Sequence, residues 1–172
     1  MTPERTLRTG LYAGTFDPIT FGHLDLIHRA FELFDKLLVA IAENPAKSPL
    51  FAASERRDLI VECLKTLDVP NLDARIEILI FDGLVADLAR RRKATAFIRG
   101  LRAVSDFEFE FQMALTNRAL VPEVEAVYMM PNAKYSYLSS SIIKDVARHG
   151  GDVSKFVPPI VAQRMAERFG RK

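Results

Sequence analysis

Five short apolar runs alternate along the chain with longer segments whose apolar residues recur at helical spacing. The runs cover residues 8–13, 36–42, 75–81, 96–99 and 125–130. The second run, KLLVAIA, is almost continuously apolar, as expected for a strand covered on both faces. Parallel strands joined through helices need right-handed crossovers, which place helices on both sides of the sheet. The sequence therefore predicts an α/β fold: a single doubly wound, Rossmann-like five-stranded parallel sheet with a C-terminal helix.

The intervening segments predict helices, and one of them carries a conflicting pattern. Helical spacing is clear over residues 22–34, 54–67, 84–92, 141–149 and 159–169. The segment SDFEFEFQMAL instead alternates acid and phenylalanine, which by period alone predicts a half-buried strand. The apolar positions Phe107, Phe111, Ala114 and Leu115 restore a helical spacing, and Asp106 suits a first helical turn. These positions favour a helix over residues 106–120.

Composition excludes several classes of protein. The 172 residues suit one domain over 1–172, and 24 basic against 22 acidic residues leave a formal charge of only +2, too small to indicate nucleic-acid binding. No run approaches the roughly 18 apolar residues of a membrane span, and the N-terminus lacks a signal sequence, so we expect a cytoplasmic protein without membrane contact. The single cysteine, Cys63, has apolar neighbours at helical spacing and is predicted to be a buried structural thiol.

The loop GTFDPITFGH, residues 14–23, follows the first predicted strand and leads into the first predicted helix. Ligands of open α/β sheets bind beyond the carboxyl ends of strands, where free N–H groups of a helix start favour phosphate. Gly14 permits a tight exit from the strand, Thr15 offers a hydroxyl and an amide, and His23 adds a donor. The alternative is an ordinary turn in which His23 only caps or packs. Neither G-x-G-x-x-G nor G-K-[ST] occurs in the loop, which disfavours the dinucleotide and P-loop readings.

This loop resembles the T/H-x-G-H motif of the nucleotidyltransferase α/β-phosphodiesterase superfamily. Further stretches, namely NPAKSPLF, IRGLRAVSDFEFE, MALTNR, MMP and YSYLSSSIIKDVARHGGDVSKF, occur in the order and at the spacing found in bacterial phosphopantetheine adenylyltransferases. The resemblance implies transfer of AMP from ATP to 4′-phosphopantetheine, which gives dephospho-coenzyme A and pyrophosphate in the penultimate step of coenzyme A synthesis. A phosphate ester is already ionised at neutral pH, so the reaction needs positioning and charge neutralisation rather than a strong base.

The resemblance also implies roles for individual residues. His23 would stabilise the pentacoordinate α-phosphate as the transition-state residue. The residues implied for ATP are Thr15, Phe16, His23, Gly100, Leu101, Arg102, Glu110, Tyr135, Ser136, Tyr137, Leu138, Ser139, Ser140 and Ser141. Those implied for phosphopantetheine are Thr15, Lys47, Leu84, Val85, Arg99 and Asn117.

Plainer readings of some of these residues stay open at this point. Lys47 could be a solvated surface lysine, Glu110 a solvated helix carboxylate, and the serines simple N-caps. Arg99 is the stronger candidate, because an arginine at the end of a buried strand needs an anionic partner. The basic run 90–93 suits a helix end better than a nucleic-acid patch.

Cofactors and partners follow from the same resemblance. Mg²⁺ is expected with ATP, held by nucleotide and water because no acidic cluster predicts a metal cage in the protein; Asp17 could touch the metal shell but is more simply a loop-stabilising side chain. A homohexamer and feedback by coenzyme A are further expectations. Two rivals remain: a nucleotidyltransferase with another acceptor, such as nicotinamide mononucleotide or glycerol 3-phosphate, and a non-catalytic nucleotide-binding regulator.

Overall fold

The computed structural model describes residues 7–43 and 48–170. The strands are β1 (Thr9–Gly14), β2 (Lys36–Ala42), β3 (Ile76–Phe81), β4 (Ala96–Gly100) and β5 (Glu125–Met129). The helices are α1 (Phe21–Ala30), α2 (Ala53–Leu64), α3 (Leu72–Arg75), α4 (Val85–Arg91), α5 (Val104–Leu120), α6 (Ser140–Arg148) and α7 (Pro159–Arg168), with a 3-10 turn at Ala133–Tyr135. None of the helices in these ranges is both long enough and apolar enough to cross a membrane.

The five strands form one sheet in the order β3-β2-β1-β4-β5, and every neighbouring pair is parallel. In the register at the centre of the sheet, Leu11 of β1 lies opposite Leu38 of β2 and Phe97 of β4. The chain builds outward from β1 through β2 to β3, then returns to the other side of β1 for β4 and β5. The predicted doubly wound fold is confirmed, and its topological switch point lies between β1 and β4.

Apolar side chains alternate between the two faces of the sheet. Tyr12 and Val39 contribute to a core shared with α1, α2, α6 and α7, whereas Leu11 and Leu38 contribute to a second core under α4. Helices therefore cover both faces, as a sheet buried on both sides requires. Cys63 is fully buried in the first core, and burial together with nearby Glu62 raises the pKa of its thiol to about 12, which confirms the predicted structural thiol.

The first helix is shorter than its apolar spacing predicts. It ends at Ala30, and the prediction that it continues to residue 34 is wrong. The guanidinium of Arg75 donates to the carbonyls of Phe31 at 2.8 Å and Phe34 at 2.9 Å, and it stacks over the Phe31 ring. After Ala30 the N–H groups of residues 31–33 donate to carbonyls three residues back, so the helix ends in a tighter turn. Arg75 satisfies the carbonyls of Phe31 and Phe34, which lie beyond the helix end.

The ambiguous acid-phenylalanine segment is helical, but the face that it buries is not the aromatic one. Phe107, Phe111 and Leu115 are each more than half exposed, whereas Glu110 is only 8% exposed. The predicted helix is confirmed as α5, with Asp106 in its first turn. Glu110 faces inward, where Arg99 of β4 binds it, so the buried side of this helix carries an ion pair.

Candidate active site

Two adjoining cavities open at the carboxyl ends of β1 and β4, at the switch point of the sheet. The first cavity, about 370 Å³, is bounded by the loop after β1, the start of α1, the end of β4 and the start of α6. The predicted residues that line it are Thr15, Phe16, His23, Arg99, Gly100, Arg102, Glu110, Tyr135, Leu138, Ser139, Ser140 and Ser141. The fold thus brings together residues that are 126 positions apart in the sequence, from Thr15 to Ser141.

The second cavity, about 340 Å³, lies on the α4 and α5 side of the same strand ends. Val85 and Asn117 line it, as predicted for an acceptor pocket, together with apolar residues such as Met113, Ala114 and Phe81. The two cavities share Ala13, Gly14, Thr15, Arg99 and Glu110. A cavity lined by both polar and apolar groups and a mainly apolar cavity therefore meet at one pair of charged side chains.

Some predicted residues lie elsewhere. Leu101, Ser136 and Tyr137 line neither cavity, and Leu84 is 58% exposed just before α4. The neighbouring residues Gly100, Tyr135, Leu138 and Val85 line the cavities, and a contribution of these four residues to the site stays a prediction. Lys47 lies outside the described residues, although the following Ser48 and Pro49 line the first cavity.

His23 is held as a neutral hydrogen-bond donor. The Thr20 N–H donates to His23 Nδ1 at 3.0 Å, and the His23 N–H donates to Thr20 Oγ1 at 3.3 Å, which together form a capping box at the start of α1. Because Nδ1 is an acceptor, the ring proton of the neutral imidazole resides on Nε2. Burial and the nearby charge of Arg102 lower the pKa of His23 to about 4, so the ring is uncharged at neutral pH.

Phe16 shapes the loop beneath this imidazole. Its ring is 3% exposed and packs edge-on against Tyr12 and His23, with centroid distances of 5.2 Å to each. A Cβ on Gly14 would approach the Phe16 ring to 3.1 Å, so glycine leaves room for the aromatic side chain. The Phe16 backbone has a φ of 49°, a left-handed conformation that is strained for this residue type.

Arg99 and Glu110 form the charged pair at the junction of the cavities. Arg99 Nε and Nη2 donate to the two Glu110 carboxylate oxygens at 2.8 and 2.6 Å, and Nη1 donates to the Ala13 carbonyl at 3.3 Å. Burial alone would lower the pKa of Arg99, but the hydrogen bonds and charge of Glu110 raise it above its ordinary value. Glu110 is therefore not a solvated helix carboxylate: it holds the arginine in one orientation.

The start of α6 combines capping with cavity lining. Ser139 Oγ accepts the Ile142 N–H at 3.2 Å, which is an ordinary N-cap, and Ser140 Oγ donates to the Pro18 carbonyl at 2.8 Å. Arg102 Nη1 donates to the Leu138 carbonyl at 2.9 Å. These bonds fix the helix entrance against the loop after β1, and Ser139, Ser140 and Ser141 of that entrance line the cavity.

Lys144 is a cavity residue that the sequence reasoning missed. Its ammonium lies 2.6 Å from Asp17 Oδ2, and Asp17 also accepts the backbone N–H groups of Leu50 at 2.9 Å and Phe51 at 3.0 Å. Its spacing could have indicated this position, because Lys144 follows Ser140 by one helical turn and so lies on the same face of the helix. Asp17 is 2% exposed and ties three segments together, so the loop-stabilising interpretation is the one that the contacts support.

The described residues contain no group of three or more His, Cys, Asp or Glu side chains that could hold a metal ion. Asp17 lies within the loop after β1, and both of its carboxylate oxygens already accept hydrogen bonds. The Mg²⁺ expected with ATP stays a prediction.

The lowered pKa of His23 predicts a specific pH dependence of stability. The unfolded chain binds a proton at this histidine below about pH 6.5, whereas the folded chain does so only near pH 4. The stability that His23 contributes is therefore complete above pH 6.5 and falls by roughly 2 kcal/mol by pH 5. Urea unfolding of the wild type and of His23→Gln at pH 7.5 and 5 measures it. Glutamine retains the capping box, so equal losses in the two proteins would contradict the assignment.

Comparisons with known proteins agree with this geometry. The cytidylyltransferase-like family model matches residues 11–146. The chain is 52% identical to the phosphopantetheine adenylyltransferase of Caldanaerobacter subterraneus subsp. tengcongensis over 163 residues, which cover 95% of this chain and 98% of the relative. It is 51% identical to the enzyme of that name from Carboxydothermus hydrogenoformans over 166 residues, which cover 96% and 99% of the two chains.

A solved structure shares the fold at much lower identity. The nicotinic acid mononucleotide adenylyltransferase of Plasmodium falciparum superposes with a TM-score of 0.61 at 15% identity, covering 96% of this chain and 97% of its own. That likeness supports the fold alone, whereas the matches near 50% identity extend over almost the whole chain. By these matches, the chain belongs to the cytidylyltransferase-like nucleotidyltransferases and, within them, to the phosphopantetheine adenylyltransferase family.

Proposed function

We propose that this protein transfers the adenylyl group of ATP to 4′-phosphopantetheine, giving dephospho-coenzyme A and pyrophosphate. The observation that carries the proposal is the meeting of two cavities at Arg99 and Glu110. A nucleotide polyphosphate suits the polar cavity, and a phosphorylated acceptor with a largely uncharged arm suits the apolar one. The names of the relatives supply the particular acceptor.

The nucleotide would lie in the first cavity with its phosphates over the starts of α1 and α6. The Gly22 N–H at the start of α1 and the Ser140 and Ser141 N–H groups at the start of α6 have no acceptor among the described residues, and the positive ends of the helix dipoles favour an anion there. Arg102 and Lys144 also line this cavity, each already paired with an acid. The α-phosphate would lie beside His23, whose Nε2–H is available as a donor because Nδ1 is already occupied by the Thr20 N–H. The outer phosphates would extend toward Ser139–Ser141. Negative charge would develop there on the pyrophosphate as it leaves.

The acceptor would place its phosphate near Thr15 and Arg99 and its arm along Val85 and Asn117. Its phosphate oxygen attacks the α-phosphorus in line, a new P–O bond forms, and the bond to the β-phosphate oxygen breaks. The nucleophile is already an anion, so no side chain needs to remove a proton. A neutral His23 stabilises the charge that develops on the α-phosphate oxygens without having to lose or gain a proton itself.

Several further expectations accompany the reaction. Mg²⁺ would bind with ATP through the polyphosphate and water and would neutralise charge on the leaving group. By family resemblance we also expect a homohexamer, feedback by coenzyme A and a cytoplasmic location, with no nucleic-acid or membrane partner.

The reaction is tested by incubating the pure protein with ATP, Mg²⁺ and one phosphorylated acceptor at a time. The acceptors are 4′-phosphopantetheine, nicotinamide mononucleotide and glycerol 3-phosphate, with unphosphorylated pantetheine as the matched control. We expect pyrophosphate release only with 4′-phosphopantetheine, because it alone carries both the phosphate and the long uncharged arm. Turnover of another acceptor alone would contradict the assigned substrate, and nucleotide binding without any turnover would favour a regulator.

The position of Glu110 predicts that it governs acceptor binding and not ATP binding. In Glu110→Gln, Arg99 loses the carboxylate that accepts two of its hydrogen bonds, so its orientation is less well fixed. We expect the KM for 4′-phosphopantetheine to rise about tenfold, as the loss of one charge-assisted contact would give. The KM for ATP should stay within about twofold.

Glu108→Gln is the matched control, because Glu108 is exposed on the same helix and lines neither cavity. It should leave both KM values unchanged. A selective increase of the KM for ATP in Glu110→Gln would instead make this carboxylate a nucleotide contact, as the family resemblance implies.

A further inference from the structure

Arg56 is a buried arginine whose hydrogen bonds go to backbone carbonyls. It lies in α2 and is 2% exposed. Its Nε donates to the Phe51 carbonyl at 3.1 Å, and its Nη1 donates to the carbonyls of Thr15 at 2.6 Å and Ala42 at 3.1 Å. Within residues 7–43 and 48–170 it forms no salt bridge. Arginine is almost never fully buried without a charged partner, so this placement calls for an explanation beyond packing.

The shortest of these bonds fixes the direction of one peptide group. The Thr15–Phe16 peptide is trans, and in a trans peptide the C=O and the N–H point in opposite directions. Arg56 lines neither cavity, whereas Thr15 and Phe16 line the first. Because the Thr15 carbonyl points to Arg56, the Phe16 N–H points away from α2. No acceptor for that N–H is found among the described residues.

The same peptide is clamped from a second direction. Asp17, the residue after Phe16, accepts the N–H groups of Leu50 and Phe51, and the Phe51 carbonyl in turn accepts Arg56 Nε. The loop after β1 and the segment before α2 are thus bound to each other by one buried acid and one buried base. Such over-determined surroundings allow Phe16 to keep its left-handed φ of 49°, a conformation that costs free energy in an unsupported loop.

We propose that Arg56 is a positioning residue that turns the Phe16 N–H toward the first cavity as a fixed donor to a phosphate oxygen of the bound nucleotide. This rests on the proposed function for the identity of the ligand. Arg56 touches no substrate and acts through the Thr15 carbonyl. A donor fixed before binding stabilises charge in the transition state without a reorganisation cost. The guanidinium beneath the loop has no acidic partner in the described parts of the chain, and its positive charge favours the same anion.

The kinetic test compares Arg56→Lys with Arg57→Lys. Lysine keeps the charge of Arg56 but has no planar fork to hold three carbonyls at once. Arg57 is the neighbouring residue on α2, about half exposed and paired only with Asp58 in the described chain, so it is the matched control. In Arg56→Lys we expect kcat to fall about 10²-fold, as the loss of one oriented amide donor gives, with the protein still folded by circular dichroism. Arg57→Lys should retain wild-type kcat.

A spectroscopic test separates orientation from simple structural support. The sequence contains two Thr–Phe dipeptides, Thr15–Phe16 and Thr20–Phe21. Protein carrying ¹³C-carbonyl threonine and ¹⁵N phenylalanine therefore gives two signals in a carbonyl–amide correlation spectrum. The Phe21 N–H already donates to the Phe156 carbonyl at 3.0 Å and serves as the internal reference. The probe is α,β-methylene ATP with Mg²⁺, in which the bond broken by adenylyl transfer is blocked.

In the wild type we expect the Phe16 amide proton to move downfield on addition of the probe, and more than the Phe21 proton. A short charge-assisted hydrogen bond has that signature. In Arg56→Lys the response of Phe16 should be lost while that of Phe21 is retained. The wild-type measurement can be made even if Arg56→Lys fails to fold. A wild-type Phe16 amide proton that does not shift when the probe is added would overturn the inference. An Arg56→Lys protein that keeps both the wild-type shift of Phe16 and the wild-type kcat would overturn it as well.

The two proposals can fail separately. If the wild type transfers no adenylyl group to any acceptor but its Phe16 amide responds to the probe through Arg56, the reaction is wrong and the positioning role stands. If the wild type turns over 4′-phosphopantetheine while Phe16 does not respond, the reaction stands and the positioning role is wrong.

Discussion

The reversal of winding between β1 and β4 is the constraint on which the rest of the structure depends. The chain leaves β1 toward β2 on one side and returns to β4 on the other, so the loops that follow these two strands diverge and leave a crevice. One wall of the crevice is the loop from Thr15 to Thr20, and the other is the end of β4 with Arg99. Both cavities open from this gap, which is where ligands of open α/β sheets bind.

Charge in the crevice is arranged so that most cations are balanced before any ligand binds. Glu110 holds Arg99, and Asp17 holds Lys144, each with buried or half-buried groups whose hydrogen bonds are satisfied. Arg56 has only carbonyl partners in the described chain, and His23 is kept uncharged by burial and by Arg102. The site is therefore a set of oriented donors, which suits a reaction whose nucleophile and leaving group are both already anionic.

The sequence predicted the sheet and the loop between β1 and α1 well because both depend on local patterns. KLLVAIA gives β2 with its bounds correct, since a doubly buried strand is continuously apolar. Three other features depend on residues that are remote in sequence. Arg75 contacts the end of α1, Arg99 binds the inward-facing acid of α5, and Asp17 binds Lys144 in the middle of α6. The burial of Arg56 could not be predicted from the sequence, because a basic residue in a helix is usually exposed to solvent.

In the proposed reaction, the neutral imidazole of His23 donates one hydrogen bond to the transition state and transfers no proton. The most direct test compares kcat and the dissociation constant for ATP in the wild type, His23→Ala and His23→Gln. Alanine should lower kcat by about 10²–10³-fold while the ATP dissociation constant stays within several-fold, and glutamine, which keeps a neutral N–H donor and the capping box, should recover part of the loss. An unchanged kcat in His23→Ala would contradict the account.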